Sequence, residues 1–335
     1  MTHEFKIILE TAYRNRDQKH VLATVVALQG SSYRKPGVQM LIAENGVITG
    51  AVSGGCVEKE VKFQAESVFK SGIPKVMTYD GRYRLGCEGI LYILLEPFKI
   101  SDQISAMLQN EIKSRQPFTI ASFYVKEEAE SHLFGSEIIV ADGAKIPLRD
   151  NFISGSEGTA VFRHTFNALL QLVIIGAEHD AVSLCKAASQ LGWEVIIADS
   201  PRDPKTIKDF PGAAHIAHLD PATEFDFTID NSTAVVLMNH NYARDLHFLL
   251  KLQQTNPFYI GILGSAKRRE KLMNELSEYS PDLDFDFMDT VYSPAGIAIG
   301  AVTPQEIAVA ILSEIIAVRN KKEVPSLRRQ MGSIH

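Results

Sequence analysis

Four short, uninterrupted apolar runs divide the second half of the chain. They read QLVIIG, WEVIIAD, TAVVLMN (233–239) and FYIGILG (258–264), and helical runs follow the first, third and fourth. An apolar run without polar alternation is expected of a strand that is buried on both faces. Alternation of such strands with helices predicts a parallel, doubly wound sheet in an α/β fold.

The segment from Leu172 to Asp199 has the layout of a Rossmann unit: strand, glycine turn, helix, and a strand that ends in an acid. Asp199 lies about twenty residues past the turn, where an acidic residue would meet a ribose hydroxyl. The glycine fingerprint is incomplete, because Glu178 stands where a glycine would let the backbone approach a pyrophosphate. Two interpretations remain open: the segment forms a dinucleotide site, or the Rossmann-like domain serves an architectural role or binds another ligand.

The first half predicts a mixed α/β domain. The strand VLATVVAL (21–28) and the turn Asn45-Gly46, which suits a tight hairpin, belong to it. A polar segment rich in Ser and Gly, residues 151–158, indicates a linker. Helices are expected near 4–17, 57–72, 102–114 and 303–320, and further strands near 118–125 and 137–141. The expected parts are a domain over 1–155, a Rossmann-like domain over 165–320 and a loose tail over 321–335.

Two Gly-rich loops, GSSYRKPG (30–37) and SGGCVE (53–58), are the first candidates for a ligand site. The second opens a helix, and backbone N–H groups at a helix N-terminus bind anions and lower the pKa of a nearby thiol. The alternative for the thiol is a small buried residue. The candidate binding residues here are Ser31, Arg34, Gly37, Ser53, Gly54, Gly55 and Cys56.

A third loop, Gly86-Cys87-Glu88-Gly89, holds another thiol between glycines. Cys56 and Cys87 are therefore the candidate metal ligands, because a thiolate binds metals. Burial as a small apolar residue remains the alternative for both.

The ends of the apolar runs in the second half supply further candidates, because strand C-termini face the ligand crevice in open α/β sheets. A basic helix start after FYIGILG suits a phosphate, although a solvated helix face explains it equally well. These candidates are Gly176, His179, Asp199, His240, Gly264, Ser265 and Arg268.

Composition excludes several classes of protein. The net charge of -6 over 335 residues argues against nucleic-acid binding, and no apolar run approaches the ~20 residues that span a bilayer. The N-terminal stretch carries acids and does not resemble a signal peptide. Three cysteines cannot form a disulfide framework, which favours a cytoplasmic protein with reduced thiols.

Several segments, in this order along the chain, resemble the xanthine dehydrogenase accessory (XdhC/CoxI) family. They are ATVVALQGSSYRKPGVQMLIAENG, ITGAVSGGCVEKEV, LGCEG, LVIIGAEHDAVSLCKAASQLGWEVIIADS, MNHNYARDLHFL, YIGILGSAKRREKL and YSPAGIAIGAVTPQEIAVAILSEIIAVR. The chain departs from the family pattern at Glu178, Glu88, Asn241 and Ala298.

The resemblance implies a cytoplasmic, homodimeric accessory factor. Such a factor binds molybdenum cofactor (molybdopterin), protects it while a terminal sulfur is installed, and hands it to a molybdenum hydroxylase such as xanthine dehydrogenase. A cysteine desulfurase is an implied partner. The alternative reading is an NAD(P)-binding oxidoreductase that uses the Rossmann unit.

Overall fold

The computed structural model describes residues 2–32, 35–81, 89–155, 157–239, 241–280 and 285–324. The chain divides into two compact units, residues 1–168 and 169–335.

The first unit is a mixed α/β structure. Its helices are α1 (Thr2–Arg14), α2 (Cys56–Ser71) and α3 (Asp102–Lys113). Its strands are β1 (His20–Gln29), β2 (Gln39–Ala43), β3 (Ile48–Gly50), β4 (Lys75–Asp80), β5 (Ile90–Phe98), β6 (Phe118–Tyr124), β7 (Ala129–Glu130), β8 (Gly135–Ile139), β9 (Lys145–Pro147) and β10 (Ala160–Phe166).

Two antiparallel sheets organise this unit, with strand orders β3-β2-β1-β5-β4-β7 and β10-β6-β8-β9. The central strand β1 is buried on both sides, and its side chains alternate between two cores. Val21 packs in the core that contains Val61 of α2. Leu22 packs in the core shared by Phe5 of α1 and Phe118 of β6. Because β1 is buried on both faces, its sequence is a nearly continuous apolar run.

The hairpin predicted at Asn45-Gly46 is confirmed. It joins β2 to β3, and Gly46 has a φ of +84°, a conformation that a residue without a Cβ adopts without strain. The predicted helix over 57–72 is also confirmed, and it ends where Gly72 takes the left-handed C-cap conformation.

The first unit extends beyond the segment 151–158 that was expected to be a linker. Residues 160–166 form β10, which pairs along its whole length with β6. Because this edge strand belongs to the first unit, the division of the chain falls after Ala168. The expected loose tail lies outside the described residues from position 325 onward.

The second unit is a doubly wound parallel sheet, as predicted. Its strands are β11 (Gln171–Ile175), β12 (Glu194–Asp199), β13 (His215–His218), β14 (Thr233–Leu237), β15 (Tyr259–Ile262) and β16 (Val291–Tyr292). Its helices are α4 (His179–Gln190), α5 (Tyr242–Leu252), α6 (Ala266–Tyr279), α7 (Phe285–Asp289) and α8 (Pro304–Arg319).

Strand order in this sheet is β13-β12-β11-β14-β15-β16, and neighbouring strands run parallel. Helices α4 and α8 pack on one face, where Leu184 and Ile311 share a core with Leu172. Helices α5 and α6 cover the other face, where Leu249 and Leu272 pack with Val173. Strand β13 did not stand out in the sequence, because His215 and His218 at its two ends are exposed.

A buried carboxylic acid joins the two sheets of the first unit. Glu96 of β5 is fully buried, and its Oε2 accepts a hydrogen bond from the backbone N–H of Ser136 in β8 at 2.9 Å. The hydroxyl of Ser136 donates to Oε1 at 2.5 Å. Burial raises the pKa of Glu96 to about 7, although these hydrogen bonds and the charge of Arg149 favour the ionised form.

We expect the free energy of unfolding of the first unit to fall as the pH rises from 5 to 8. The folded state keeps the Glu96 proton up to about pH 7, whereas the unfolded chain releases it near pH 4.5. This difference corresponds to ~3 kcal/mol. Glu96→Gln retains a hydrogen-bonding group and cannot ionise, so it should flatten the dependence. Urea unfolding at both pH values, with the exposed Glu128→Gln as control, measures this. An unchanged slope in Glu96→Gln would contradict it.

Candidate functional site

The strand order of the second unit reverses between β11 and β14, the place where ligands bind in open parallel sheets. Gly176 follows β11 at this point and has a φ of +121°. A Cβ at Gly176 would lie 2.7 Å from the carbonyl carbon of Met238, which follows β14. Glycine is therefore required for the two strand ends to approach each other, and this candidate residue shapes the crevice.

The start of α4 carries an acid at the crevice. Glu178 is the N-cap residue, but its side chain makes no capping hydrogen bond. Both Glu178 and His179 are exposed. The carboxylate therefore adds negative charge where a pyrophosphate would approach the helix, and it repels such a ligand.

Asp199 at the end of β12 is engaged within the protein. It is 1% exposed, and its Oδ1 lies 2.6 Å from Nδ1 of His218 at the end of β13. Its Oδ2 accepts a hydrogen bond from the backbone N–H of Lys205. Both oxygens hold neighbouring segments in place, so binding a ribose hydroxyl would require one of these bonds to break.

Arg268 forms an internal ion pair. Its Nη2 contacts Oδ2 of Asp245, a fully buried carboxylate of α5, and also donates to the carbonyl of Asn239 at 3.1 Å. The Asn239 amide donates to Asp245 Oδ1 at 2.9 Å. Burial raises the pKa of Asp245, and the hydrogen bonds from Asn239 and Arg268 oppose that shift. The guanidinium therefore compensates a buried charge through Nη2, while its buried Nε has no hydrogen-bond partner among the described residues.

Gly264 and Ser265 position this arginine. A Cβ at Gly264, whose φ is +140°, would lie 2.8 Å from Cδ of Arg268. The Ser265 hydroxyl caps α6 by accepting a hydrogen bond from the Arg268 backbone N–H at 3.3 Å. These two candidate residues therefore act on the start of α6, while His240, the remaining candidate of the second unit, lies outside the described residues.

A cavity of about 660 Å³ opens at the carboxyl edge of this sheet, and sequence reasoning missed it. Its lining includes Arg202 after β12, Asp220 after β13, and Arg244 and His247 of α5. Arg244 donates from Nη2 to the carbonyl of Leu219 at 3.2 Å. Its buried Nε has no hydrogen-bond partner among the residues that the structure describes. The position of Arg202, three residues past a predicted strand end, was a usable signal.

The first glycine loop of the first unit meets the segment that leads out of the Cys87 loop. A side chain at Gly89 would collide with the carbonyl oxygen of Ser31. The N–H of Gly81 donates to the Gly89 carbonyl at 3.0 Å and closes the base of the loop between them. The first and third candidate loops are therefore adjacent at their bases. Arg34 and Cys87 lie outside the described residues.

Gly37, at the end of the first loop, packs against β10. Its φ is +102°, and a Cβ there would lie 2.7 Å from Nδ1 of His164. Its N–H donates to the carbonyl of Val25 in β1 at 2.8 Å. Gly37 is thus required by close packing and by the backbone conformation.

The second glycine loop is open to solvent. Gly55 has a φ of +120°, and a Cβ at Gly54 or Gly55 would lie more than 4 Å from every atom of the described residues. Cys56 is the first residue of α2. This part of the backbone is therefore accessible to a ligand.

An internal carboxylate occupies the start of α2. Glu58 accepts hydrogen bonds from the Ser53 backbone N–H at 2.7 Å and from the Ser53 hydroxyl at 2.9 Å. Partial burial raises the pKa of Glu58, but hydrogen bonds from its own backbone, Ser53 and Gly55 outweigh this and lower it. Glu58 therefore already supplies the negative charge that the helix terminus favours.

Cys185 lies in the core beneath α4 and is fully buried. Burial raises the pKa of its thiol to about 11, so this cysteine is a neutral, unreactive thiol near pH 7. It offers a natural control for the two loop cysteines.

Neither a metal cluster nor a membrane span emerges from the described part of the chain. No group of three or more His, Cys, Asp or Glu residues within it could hold a metal ion. No helix within it has the length and apolar character needed to cross a membrane. The metal-binding role of Cys56 and Cys87 stays a prediction.

Comparison with known proteins matches both units. The profile described as the XdhC and CoxI family matches residues 13–80, and that described as the XdhC Rossmann domain matches residues 172–315. A protein of Bacillus subtilis (strain 168) named as a probable xanthine dehydrogenase subunit is 30% identical over 96% of this chain and 99% of its own length.

Two further relatives agree with this match. The "Molybdenum cofactor insertion chaperone PaoD" of Escherichia coli (strain K12) is 26% identical over 91% of this chain and 85% of its own length. A crystal structure described as a xanthine dehydrogenase from Bacillus halodurans superposes with a TM-score of 0.78 and 27% identity, covering 97% of this chain and 98% of that chain. The profile matches and the near full-length similarity to the Bacillus subtilis protein together place this chain in the XdhC and CoxI family.

Proposed function

We propose that this protein is a maturation factor that binds molybdenum cofactor and delivers it, after sulfuration, to a xanthine dehydrogenase-type molybdenum hydroxylase. The observation that carries the proposal is the similarity to a molybdenum cofactor insertion chaperone over 91% of this chain. The name of the Bacillus subtilis relative supports a link to xanthine dehydrogenase. The cofactor is cargo here, so the protein needs to hold and release it without catalysing a reaction.

The first unit offers a place for the metal of the cargo. The backbone at Gly54 and Gly55 is open, and Cys56 follows it directly. The base of the Cys87 loop packs against the Ser31 loop. Thiolates are soft metal ligands, so we assign the metal contact to Cys56 and Cys87.

The second unit offers a place for a phosphate. Arg202 and Arg244 line the cavity at the carboxyl edge of the sheet, and the buried Nε of Arg244 lacks a partner among the described residues. A guanidinium hydrogen-bonds phosphate oxygens strongly. We therefore propose this cavity as a phosphate-binding site of the second unit, which is tested separately from the thiols of the first unit.

The proposal extends to a cytoplasmic homodimer that receives sulfur from a cysteine desulfurase. Light scattering of the purified protein tests the dimer, and copurification tests the contacts with a desulfurase and with the hydroxylase. A monomer that copurifies with neither enzyme would refute this part of the proposal.

We expect Cys56→Ala and Cys87→Ala to lower retention of the cofactor by roughly tenfold or more, because loss of even an outer partner of a metal typically weakens its binding by about 10- to 100-fold. Cys185→Ala, which alters a buried neutral thiol, should retain the cofactor as the unmodified protein does. The measurement is co-elution of molybdenum and pterin after mixing with cofactor released from a molybdoenzyme.

Two outcomes of this experiment are decisive in different ways. Equal retention by all three variants would refute the assignment of the thiols but leave the function standing. Failure of the unmodified protein to retain molybdenum and pterin would refute the function itself.

We expect Arg202→Gln to weaken cofactor binding by about tenfold, since a hydrogen bond to a charged group contributes roughly 1.5–3 kcal/mol. Arg202 is exposed, so the substitution should leave the fold unchanged. The matched control is Arg269→Gln, which removes an exposed arginine from α6. The measurement is the dissociation constant of the cofactor for each of the two variants, obtained by titration. Equal constants for the two variants would exclude the cavity as the phosphate site.

An NAD(P)-binding oxidoreductase is the second candidate, and the strand order of the Rossmann-like sheet favours it. The exposed carboxylate of Glu178 and the engaged oxygens of Asp199 argue against it. We therefore expect calorimetric titrations with NAD and NADP to detect no binding in the micromolar range. Micromolar binding that Asp199→Ala abolishes would instead favour the oxidoreductase.

A further inference from the structure

A cavity of about 630 Å³ lies in the first unit, where β1 begins and where β5 and α2 end. Residues 16–21, 68–72, 97–99, 149 and 150 line it. None of these residues belongs to the three glycine loops, and the function proposed above does not use them. The volume falls in the range of about 300–1,000 Å³ that is typical of small-molecule sites.

Positive charge dominates the lining of this cavity. Two carboxylates line the cavity together with five cationic side chains, which are Arg16, Lys19, Lys70, Lys99 and Arg149. Two of these cations have partners outside the lining: Arg16 pairs with Asp102, and Arg149 donates to the carbonyls of His132 and Phe134. Such an excess on a concave surface raises the local concentration of anions.

Two of the lysines are held only by exposed ion pairs. Lys19 lies 3.7 Å from Glu44, and Lys99 lies 3.5 Å from Asp150, with all four side chains more than half exposed. Exposed pairs of this kind contribute little to stability, so these lysines can turn from their carboxylate partners to a bound anion.

A buried histidine in the lining has one ring nitrogen without a hydrogen-bond partner among the described residues. His20 is 5% exposed, and its backbone is fixed between β2 and β5. Its Nε2 has no partner within the described part of the chain, and the same holds for Nε of Arg149. A buried polar group without a partner destabilises the folded state, and a ligand that supplies the partner removes this penalty. Burial lowers the pKa of His20, so near pH 7 the imidazole is neutral and can donate or accept a hydrogen bond.

The wall of the cavity also has an apolar part, to which Val68 and Phe69 of α2 and Phe98 of β5 contribute. A ligand that uses every part of this lining would carry anionic groups, a hydrogen-bonding group and an apolar or planar body. A phosphorylated molecule of about nucleotide size combines these features.

We propose that this cavity binds a phosphorylated small molecule of about nucleotide size, at a site separate from the one assigned to the molybdenum cofactor. Lys19, Lys70 and Lys99 hold the phosphate groups, and the imidazole of His20 forms a hydrogen bond to a polar group of the body. A negative result for the function proposed above would leave this site untouched, and a negative result for this site would leave that function untouched.

The test uses ADP as the probe and follows the imidazole nitrogen signals of His20 by NMR, assigned by their absence in His20→Phe. Addition of ADP should shift the Nε2 signal as this nitrogen gains a partner. The double variant Lys19→Gln/Lys70→Gln should raise the dissociation constant for ADP by roughly tenfold or more. The control Lys126→Gln removes an exposed lysine of the same unit away from the cavity and should bind ADP as the unmodified protein does.

Because the signal of His20 reports this cavity alone, ADP bound at the Rossmann-like sheet would not produce the expected shift. An Nε2 signal that stays unchanged at millimolar ADP would overturn the proposal. Unaltered ADP affinity in the double variant would overturn it as well, since the lysines would then have no part in binding.

Discussion

The close approach of two strand ends at Gly176 organises the second unit. The turn after β11 passes so near the end of β14 that a Cβ at Gly176 would lie 2.7 Å from Met238. This contact allows the two central strands to end side by side where the strand order reverses. Asn239 follows at once, and its amide reaches the buried Asp245, which in turn pairs with Arg268. The crevice edge is therefore an internally bonded structure that begins at one glycine.

Internal bonding also separates residues that shape the site from residues that remain free to bind a ligand. Asp199 and Arg268 have the residue types and strand-end positions expected of ligand contacts, but both are committed to internal partners. The carboxylate of Glu58 likewise accepts hydrogen bonds from Ser53 at the start of α2. Among the described residues, the groups left available include the open glycine backbone beside Cys56 and the side chains of Arg202 and Arg244. Ligand binding by this protein is thus expected to depend on fewer residues than its motifs suggest.

Local patterns in the sequence predicted the fold well. The buried parallel strands, the hairpin at Asn45-Gly46 and the helix over 57–72 each depend on residues close together in the chain. Strand β10 was missed because it is an edge strand whose pairing with β6 arises only in the folded unit. Local patterns also could not predict which of the candidate site residues bind partners inside the protein. The partners of Asp199 and Arg268 lie 19 and 23 residues away, at His218 and Asp245, and no spacing rule indicates that these pairs form.

The central claim, that this protein delivers molybdenum cofactor to a hydroxylase, is tested most directly by activating a cofactor-free xanthine dehydrogenase in vitro. Released, sulfurated cofactor is added to the apoenzyme with and without this protein, and the recovered hydroxylase activity is measured over time. The account predicts a higher active fraction when the protein is present and little gain with the Cys56→Ala variant. Equal activation with and without the protein would contradict the claim.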